Sequence, residues 1–269
     1  MPIRRVLFLT TSLLIVATLA LAHDLFLKLD SYFLEPHARV RVTVINGTFT
    51  KSEGYVAPDR LADVSLVAGT RTRLRAADVW SRGPDSTSVL SLALGDAGTY
   101  VVGVSVLPRE LSLAADDFNA YLKEDGLPDI LEARRAANEL GKGARERYSK
   151  HVKAVFQVGD THTPDYAFAL GYPAEIVPLG NPYAGGRTSL RVRCLVDGKP
   201  VANQVVLWGG GGAAAERSTR TDSAGVAEVT LDAPGRWYVK FVHMERANRS
   251  GVAGPDYESK WATLTFETR

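Results

Sequence analysis

The chain has 269 residues, a length typical of two domains. Hydrophobic residues make up 45% and charged residues 23% of it, which excludes a disordered, collagen-like or multi-span membrane protein. Lys and Arg number 32 against 30 Asp and Glu, so no concentrated basic excess points to a nucleic-acid binder.

The first 22 residues have the pattern of a secretory signal peptide. Arg4 and Arg5 precede an apolar stretch that ends in a small-x-small cleavage site at Ala22. We therefore expect a periplasmic or secreted protein that is cleaved after Ala22. The alternative is an uncleaved anchor, although the apolar run is short for a membrane span of about 20 residues.

The mature chain is formally neutral and has one thiol. The leader holds two of the 32 basic residues and no acidic ones, which leaves 30 charges of each sign. This balance gives no reason to expect nucleic acid as a partner, or stable membrane insertion after cleavage. Cys194 alternates with apolar residues and cannot form an internal disulfide, so we expect it to be a core residue.

The mature sequence predicts a mainly β fold: two β-sandwich domains of immunoglobulin or transthyretin type with a helical insertion between them. Period-two alternation, as in residues 25–29, and turn signals such as Asn46-Gly47 predict the first sandwich over residues 23–108. Similar signals predict the second sandwich over residues 159–269.

Residues 109–158 have helical spacing and predict the insertion. Phe118, Tyr121 and Leu122 indicate a first helix, and residues 130–140 indicate a second. A third stripe follows at Tyr148, Val152 and Val155, and the charges of residues 145–153 are expected to form its solvated face.

No catalytic signature is present. The sequence lacks Gly-x-Ser-x-Gly, His-Glu-x-x-His and Cys-x-x-Cys, so we expect no enzyme activity and no organic cofactor. The run Gly209–Gly212 is not followed by Lys-Ser or Lys-Thr and is expected to be a hairpin tip rather than a phosphate loop.

Cleavage after Ala22 would make His23 the first residue, where its α-amine and its ring can chelate one ion together. The α-amine has an ordinary pKa near 7.7–8.0, so a metal can displace its proton at neutral pH. Imidazole suits transition metals, which makes Ni, Co or Cu the candidate ions. The alternative is a histidine that merely begins the first strand.

A second histidine lies on a core-facing strand. Trp237, Val239 and Phe241 share one face of a predicted strand, and His243 falls on the same face at its end. Glu258 precedes the last strand and would lie near His243 if the two strands pair, as a ligand or as the acceptor that fixes the ring tautomer. A hydrogen-bonded core histidine is the alternative.

The other histidines are weaker candidates. His37 is expected in an exposed turn, His151 at the surface or in packing, and His162 in a linker.

A family resemblance rests on four segments: Ala22-His23-Asp24, residues 175–183, residues 237–244 and residues 257–266. Together they resemble an exported bacterial family of unknown function that is grouped with the periplasmic parts of NikM-type nickel and cobalt uptake systems. The resemblance implies two β-rich parts, a periplasmic location and a transition-metal site at His23 and His243, with a metal-uptake protein as a partner. Unlike those uptake components, this sequence has no apolar run of about 18 residues after Ala22.

Three functions follow as hypotheses. The first is a periplasmic metal-binding protein for uptake, delivery or sensing, with His23, His243 and Glu258 as ligands. The second is a non-catalytic recognition module for a cell-surface polymer or a protein. The third is copper-dependent oxidation, with Tyr238 and Tyr257 as the nearby aromatic residues.

Overall fold

The computed structural model describes residues 23–186, 188–212, 215–248 and 254–269. The predicted signal peptide, residues 1–22, lies outside the described residues. No helix within the described ranges has both the length and the apolar character needed to cross a membrane.

The first part of the chain is built from strands and one short helix. In chain order these are β1 (Asp24–Leu29), β2 (Phe33–Leu34), β3 (Arg39–Thr48), β4 (Lys51–Ser52), β5 (Leu61–Ala68), β6 (Thr70–Arg73), α1 (Ala76–Val79), β7 (Trp80–Arg82), β8 (Ser88–Ala93) and β9 (Gly98–Leu113).

Two helices and nine further strands follow. They are α2 (Ala115–Glu124), α3 (Pro128–Ala136), β10 (Ala144–Val158), β11 (Ala174–Pro178), β12 (Ser189–Val196), β13 (Lys199–Pro200), β14 (Val205–Gly210), β15 (Arg217–Arg220), β16 (Val226–Thr230), β17 (Gly235–Arg246) and β18 (Tyr257–Thr268).

The described strands form three sheets, which confirms the mainly β fold class. The central sheet has the order β15-β14-β17-β18-β10-β9-β5-β6, with β2 added beside β10. The N-terminal outer sheet has the order β1-β3-β8-β7, with β4 beside β3. The C-terminal outer sheet joins β11, β12, β13 and β16. Strands of both predicted sandwiches thus meet in one central sheet, where β10 and β18 run parallel.

The two outer sheets cover opposite faces of the central sheet. Thr263 and Thr265 of β18 donate hydrogen bonds to backbone carbonyls of β1, at 2.7 and 2.5 Å. Leu264 lies between them and points to the other face, because side chains alternate along a strand. It pairs with Lys153 of β10, whose ammonium contacts Glu175 of β11. We call these two sides the β1 face and the β11 face.

The helical hairpin α2–α3 packs on the β1 face beside the N-terminal outer sheet. Its buried residues Phe118 and Tyr121 contact the end of the central sheet, where Tyr121 stacks on Trp261 at 5.8 Å between ring centroids. The first predicted helix is therefore confirmed, and the second, predicted over residues 130–140, is present but ends at Ala136. A gap remains between the end of α2 and the start of β1, and this gap holds the site described below.

The predicted third helix is wrong, because residues 144–158 form strand β10. Both faces of β10 are covered, so its residues from Ser149 to Val158 are all buried and the strand loses the alternation that would reveal it. The predicted solvated face is wrong for Lys150 and Lys153, which are 7% and 1% exposed. His151 is packed between two serine hydroxyls, and burial lowers its pKa to about 4.

Two other sequence expectations have clear outcomes. Cys194 is fully buried in the core, as predicted, and burial raises the pKa of its thiol. The turn predicted at Asn46-Gly47 is wrong, because β3 continues to Thr48. A Cβ on Gly47 would lie 2.2 Å from the Lys51 carbonyl oxygen, so glycine is needed there for close approach of two strands rather than for a turn.

A buried ion pair joins the C-terminal outer sheet to the central sheet. Lys153 Nζ lies 2.9 Å from Glu175 Oε1, and both side chains are 2% exposed or less. Glu175 also accepts hydrogen bonds from the backbone N–H groups of Leu170 and Gly171, at 2.6 and 3.0 Å. These extra bonds satisfy the carboxylate and fix the loop before β11.

We predict that Lys153→Met lowers the free energy of unfolding by about 3–5 kcal/mol, because Glu175 would remain buried without its counter-charge. Urea denaturation measures this loss. Arg75→Gln, which breaks the exposed Arg75–Asp78 pair, should cost less than about 1 kcal/mol. The double variant Lys153→Met/Glu175→Gln should be more stable than Lys153→Met alone. Equal losses of stability in this double variant and in Lys153→Met would contradict the prediction.

Candidate functional site

An acidic cleft lies on the β1 face where β1 begins and α2 ends. Its volume is about 410 Å³. Its walls are formed by residues of β1, β3, α2 and β17 and of loops around them, namely His23, Asp24, Phe26, Gly47, Thr48, Phe49, Glu53, Tyr121, Glu124, Asp125, Glu216, Tyr238 and Lys240. Five of these residues are carboxylic acids and one is a lysine, so the cleft has a strong excess of negative charge.

Lys240 lies at the floor of the cleft among three carboxylates. Its ammonium is 2.7 Å from Asp24, 3.3 Å from Asp125 and 3.4 Å from Glu216, and its side chain is 8% exposed. Burial opposes the charged form, but the three carboxylates outweigh it and hold the pKa of Lys240 above its ordinary value. Lys240 therefore stays charged and balances only part of the surrounding negative charge.

Asp125, in the same cluster of carboxylates, keeps its proton to a higher pH than an ordinary aspartate. Burial is the largest cause that raises its pKa to about 7, and the neighbouring Asp24 carboxylate adds to it. Lys240 acts in the opposite direction without restoring the ordinary value. In addition, Asp24 Oδ1 is buried and has no hydrogen-bond partner among the described residues. The cleft thus contains an unsatisfied carboxylate oxygen that favours an incoming cation, and a proton on Asp125 that such a cation would have to displace.

His23 stands at the edge of the cleft, and Glu53 orients its ring. Nε2 of His23 lies 2.5 Å from Glu53 Oε2, with the two side chains 24% and 40% exposed. The backbone carbonyl of His23 accepts a hydrogen bond from Lys150. In the neutral ring, an Nε2–H that donates to this carboxylate leaves the lone pair on Nδ1. This is the nitrogen that can close a chelate ring with the α-amine of the same residue.

His243 and His23 lie on opposite faces of the central sheet. His243 pairs with Lys260, which shares the β11 face with Leu264, whereas the His23 carbonyl is bonded to Lys150 on the β1 face. Nδ1 of His243 is 3.1 Å from Gln204 Oε1, and burial lowers the pKa of His243. The expectation of one ion shared by His23 and His243 is therefore wrong, because the sheet separates them.

Glu258 is close to His243 in the fold but has a different partner. It pairs with Glu245 across β17 and β18, two positions along from the His243–Lys260 pair. Its carboxylate lies 3.4 Å from Arg147. In the described residues, no group of three or more His, Cys, Asp or Glu side chains is arranged to hold a metal ion.

The remaining candidates are dispersed. Tyr238 lines the acidic cleft, whereas Tyr257 is buried against α2 and does not reach it. His37 is exposed in a turn, with φ of 61°, as predicted. The residues that sequence reasoning missed are Lys240, Asp125, Glu53 and Glu216. Only Lys240 left a signal, since it interrupts the apolar residues of its strand.

We predict that Asp125 makes a destabilising contribution that grows as the pH rises from 5 to 8, and that Asp125→Asn removes this contribution from the pH dependence of stability. Because the folded-state pKa of about 7 lies above the ordinary value of 3.8, ionising Asp125 costs nothing below the lower value and its full amount above the higher one. Urea denaturation at several pH values measures the slope. Asp116→Asn, at an exposed position of α2, is the control; an unchanged slope in Asp125→Asn would contradict the assignment.

Comparison with solved structures gives only weak likenesses. The D0-D1 domain of intimin is 15% identical over 91% of this chain and 98% of its own, with a TM-score of 0.22. A DUF4785 family protein from Legionella pneumophila is 13% identical over 80% of this chain and 50% of its own, with a TM-score of 0.26. At such TM-scores these likenesses carry no argument about this protein.

Sequence comparison gives a firmer result. No curated protein matches the chain at a significant level. A family model does match, and it spans residues 20–245, from the start of β1 to nearly the end of β17. Both His23 and His243 fall within this span, as does the whole acidic cleft. The chain belongs to the family described as a domain of unknown function, DUF4198.

Proposed function

We propose that the protein is exported, begins at His23 after cleavage, and binds a transition-metal ion, Ni, Co or Cu, at the edge of the acidic cleft. The observation that carries this proposal is the contact between His23 Nε2 and Glu53, which leaves Nδ1 as the free ring nitrogen beside a negatively charged cleft. The function is metal capture for uptake, delivery or sensing.

The donor set suits such an ion. The α-amine and Nδ1 of His23 supply two nitrogen ligands on one residue, and nitrogen ligands are those that Ni and Cu prefer. Glu53 would play the part of the carboxylate that hydrogen-bonds a metal-binding histidine and holds its tautomer. Asp24 Oδ1, buried and without a partner among the described residues, offers an oxygen ligand on the next residue.

The electrostatics of the cleft support cation capture. Five carboxylates and one lysine line it, and Asp125 is partly protonated near neutral pH. An arriving cation would lower the pKa of Asp125 and displace its proton. Binding should therefore be tighter at pH 8 than at pH 6, because fewer protons compete for the carboxylates and the α-amine.

The test uses protein exported through its own leader, since an added methionine would block the α-amine. We expect the intact mass under denaturing conditions to begin at His23, and native spray to show one metal adduct after exposure to Ni, Co or Cu. Glu53→Gln should lower the affinity about 10–100-fold, because it loosens the ring orientation. His23→Ala should lower it further.

Two controls make the result specific. His243→Ala should keep the wild-type affinity, because His243 lies on the opposite face of the central sheet. A chain with one extra residue before His23 should lose the adduct if the α-amine is a ligand. Unchanged affinity in His23→Ala, or an equal loss in His243→Ala, would reject the site.

A second candidate function is recognition of an extended polymer or peptide. A groove of about 820 Å³ runs from the acidic cleft along Gly209–Gly212, and Phe49 and Tyr238 line both spaces. Their rings pack together with a centroid distance of 4.9 Å. An exported protein that begins at His23, stays metal-free and retains a cell-surface polymer would favour this second function.

A further inference from the structure

A basic cavity lies on the other side of β1 from the acidic cleft. Its volume is about 110 Å³. Leu25 and Asn46 line this cavity, whereas the next residues along the two strands, Phe26 and Gly47, line the acidic cleft. Because successive side chains of a strand point to opposite sides, β1 and β3 form the wall between the two spaces.

The charged lining of the basic cavity is entirely positive. Lys150, Arg60 and Arg109 line it, and no aspartate or glutamate is among its described lining residues. The rest of the wall includes apolar residues and the rings of Tyr55 and Tyr148. Three cations around one small space repel each other unless an anion lies between them.

Lys150 forms the floor of the cavity, and its ammonium hydrogen-bonds only uncharged groups, while the carboxylates of Asp24, Asp125 and Glu146 act on it at longer range. It is 7% exposed, and its ammonium donates hydrogen bonds to the His23 carbonyl and, at 3.1 Å, to Asn46 Oδ1. An ammonium has three N–H donors, so one remains for a ligand. No carboxylate in the described ranges forms an ion pair with it, which contrasts with the buried Lys153 and Lys240.

The two arginines also have unused donors. Arg60 Nη2 donates to the Leu107 carbonyl at 2.7 Å, but its Nε is buried and has no hydrogen-bond partner among the described residues. The guanidinium of Arg109, on β9, has no hydrogen bond or ion pair with any described residue, although it lines the cavity. Buried donors in proteins are normally satisfied, so an unsatisfied Nε beside a cationic cavity indicates a missing acceptor.

We propose that the basic cavity binds a small oxyanion, a carboxylate or phosphate group, which accepts hydrogen bonds from Lys150, Arg60 and Arg109. Guanidinium groups match the oxygen spacing of carboxylates and phosphates, and ionic hydrogen bonds of this kind are stronger than neutral ones. The cavity exceeds the roughly 10–15 Å³ that one water needs, but it is smaller than the roughly 300–1,000 Å³ of drug-sized sites. The ligand therefore has only a few heavy atoms.

The test is a titration of the exported protein, freed of metal on a chelating resin, with sodium phosphate and separately with sodium butyrate. Chloride at the same ionic strength is the reference, and NMR chemical shifts of the backbone amides report binding. We expect saturable shifts around Lys150 and Arg109 with at least one of the two oxyanions. The anion that saturates identifies the head group, phosphate or carboxylate.

Arginine variants decide whether the cavity is the site. Arg109→Gln removes an exposed side chain that makes no hydrogen bond or ion pair within the described chain, so the fold should be kept. The affinity should fall about 10–100-fold, the equivalent of one ionic hydrogen bond. Arg41→Gln removes one positive charge from an exposed position of β3 outside the cavity, and should change the affinity less than two-fold, a margin on the order of RT.

Two results would overturn the proposal. One is the absence of saturable shifts beyond those of chloride with both oxyanions. The other is an equal loss of affinity in Arg41→Gln and Arg109→Gln, which would mean that net charge alone attracts the anion. Since no metal is present in the titration, neither result bears on metal capture at His23.

Discussion

The parallel pairing of β10 with β18 is the constraint on which the rest of the fold depends. It joins a strand from the middle of the chain to its last strand, so that strands of both halves share one sheet. Once this sheet exists, each half must cover a different face of it. The N-terminal outer sheet and the helical hairpin then lie side by side on the β1 face, and the space between them becomes the acidic cleft.

The first strand, β1, separates negative from positive side chains on the β1 face. The side of β1 toward α2 gathers carboxylates around Lys240, whereas the other side gathers Lys150 and two arginines. The His23 carbonyl touches Lys150 while its ring touches Glu53, so one residue is held by groups of opposite charge. A cation on one side of β1 and an anion on the other would each relieve repulsion within its own cavity, and their mutual attraction would couple the two sites.

Local patterns revealed those parts of the fold in which one face is buried and the other is not. The alternation in β3 and the stripe of α2 are both of this kind, and both elements were predicted from the sequence. The sequence of β10 predicts a helix instead of a strand, because both faces of β10 are covered and its apolar residues no longer alternate with polar ones. Valines at positions 152 and 155 then matched helical spacing by coincidence, although β-branched residues favour strands.

The candidate site was only half predictable for a related reason. Position next to the cleavage motif singled out His23, and strand alternation correctly placed His243 on the face of Trp237 and Phe241. Alternation reports which residues share a face, but it does not report which layer of the fold covers that face. Docking of β1 and α2 onto the other side, which separates the two histidines and unites His23 with Asp125, arises from contacts between residues distant in sequence.

The hydroxyl groups of Thr263 and Thr265, which bind the carbonyls of Leu25 and Leu27, have a consequence for folding. Each of these contacts joins residues 238 positions apart. The first strand can pair with β3 early, but its docking surface on the central sheet stays incomplete until the last strand has been synthesised. A topology dominated by such contacts folds slowly, since the entropy of closing a long loop is lost before the stabilising contacts form. Until then, the part of β1 that β18 covers stays open to solvent.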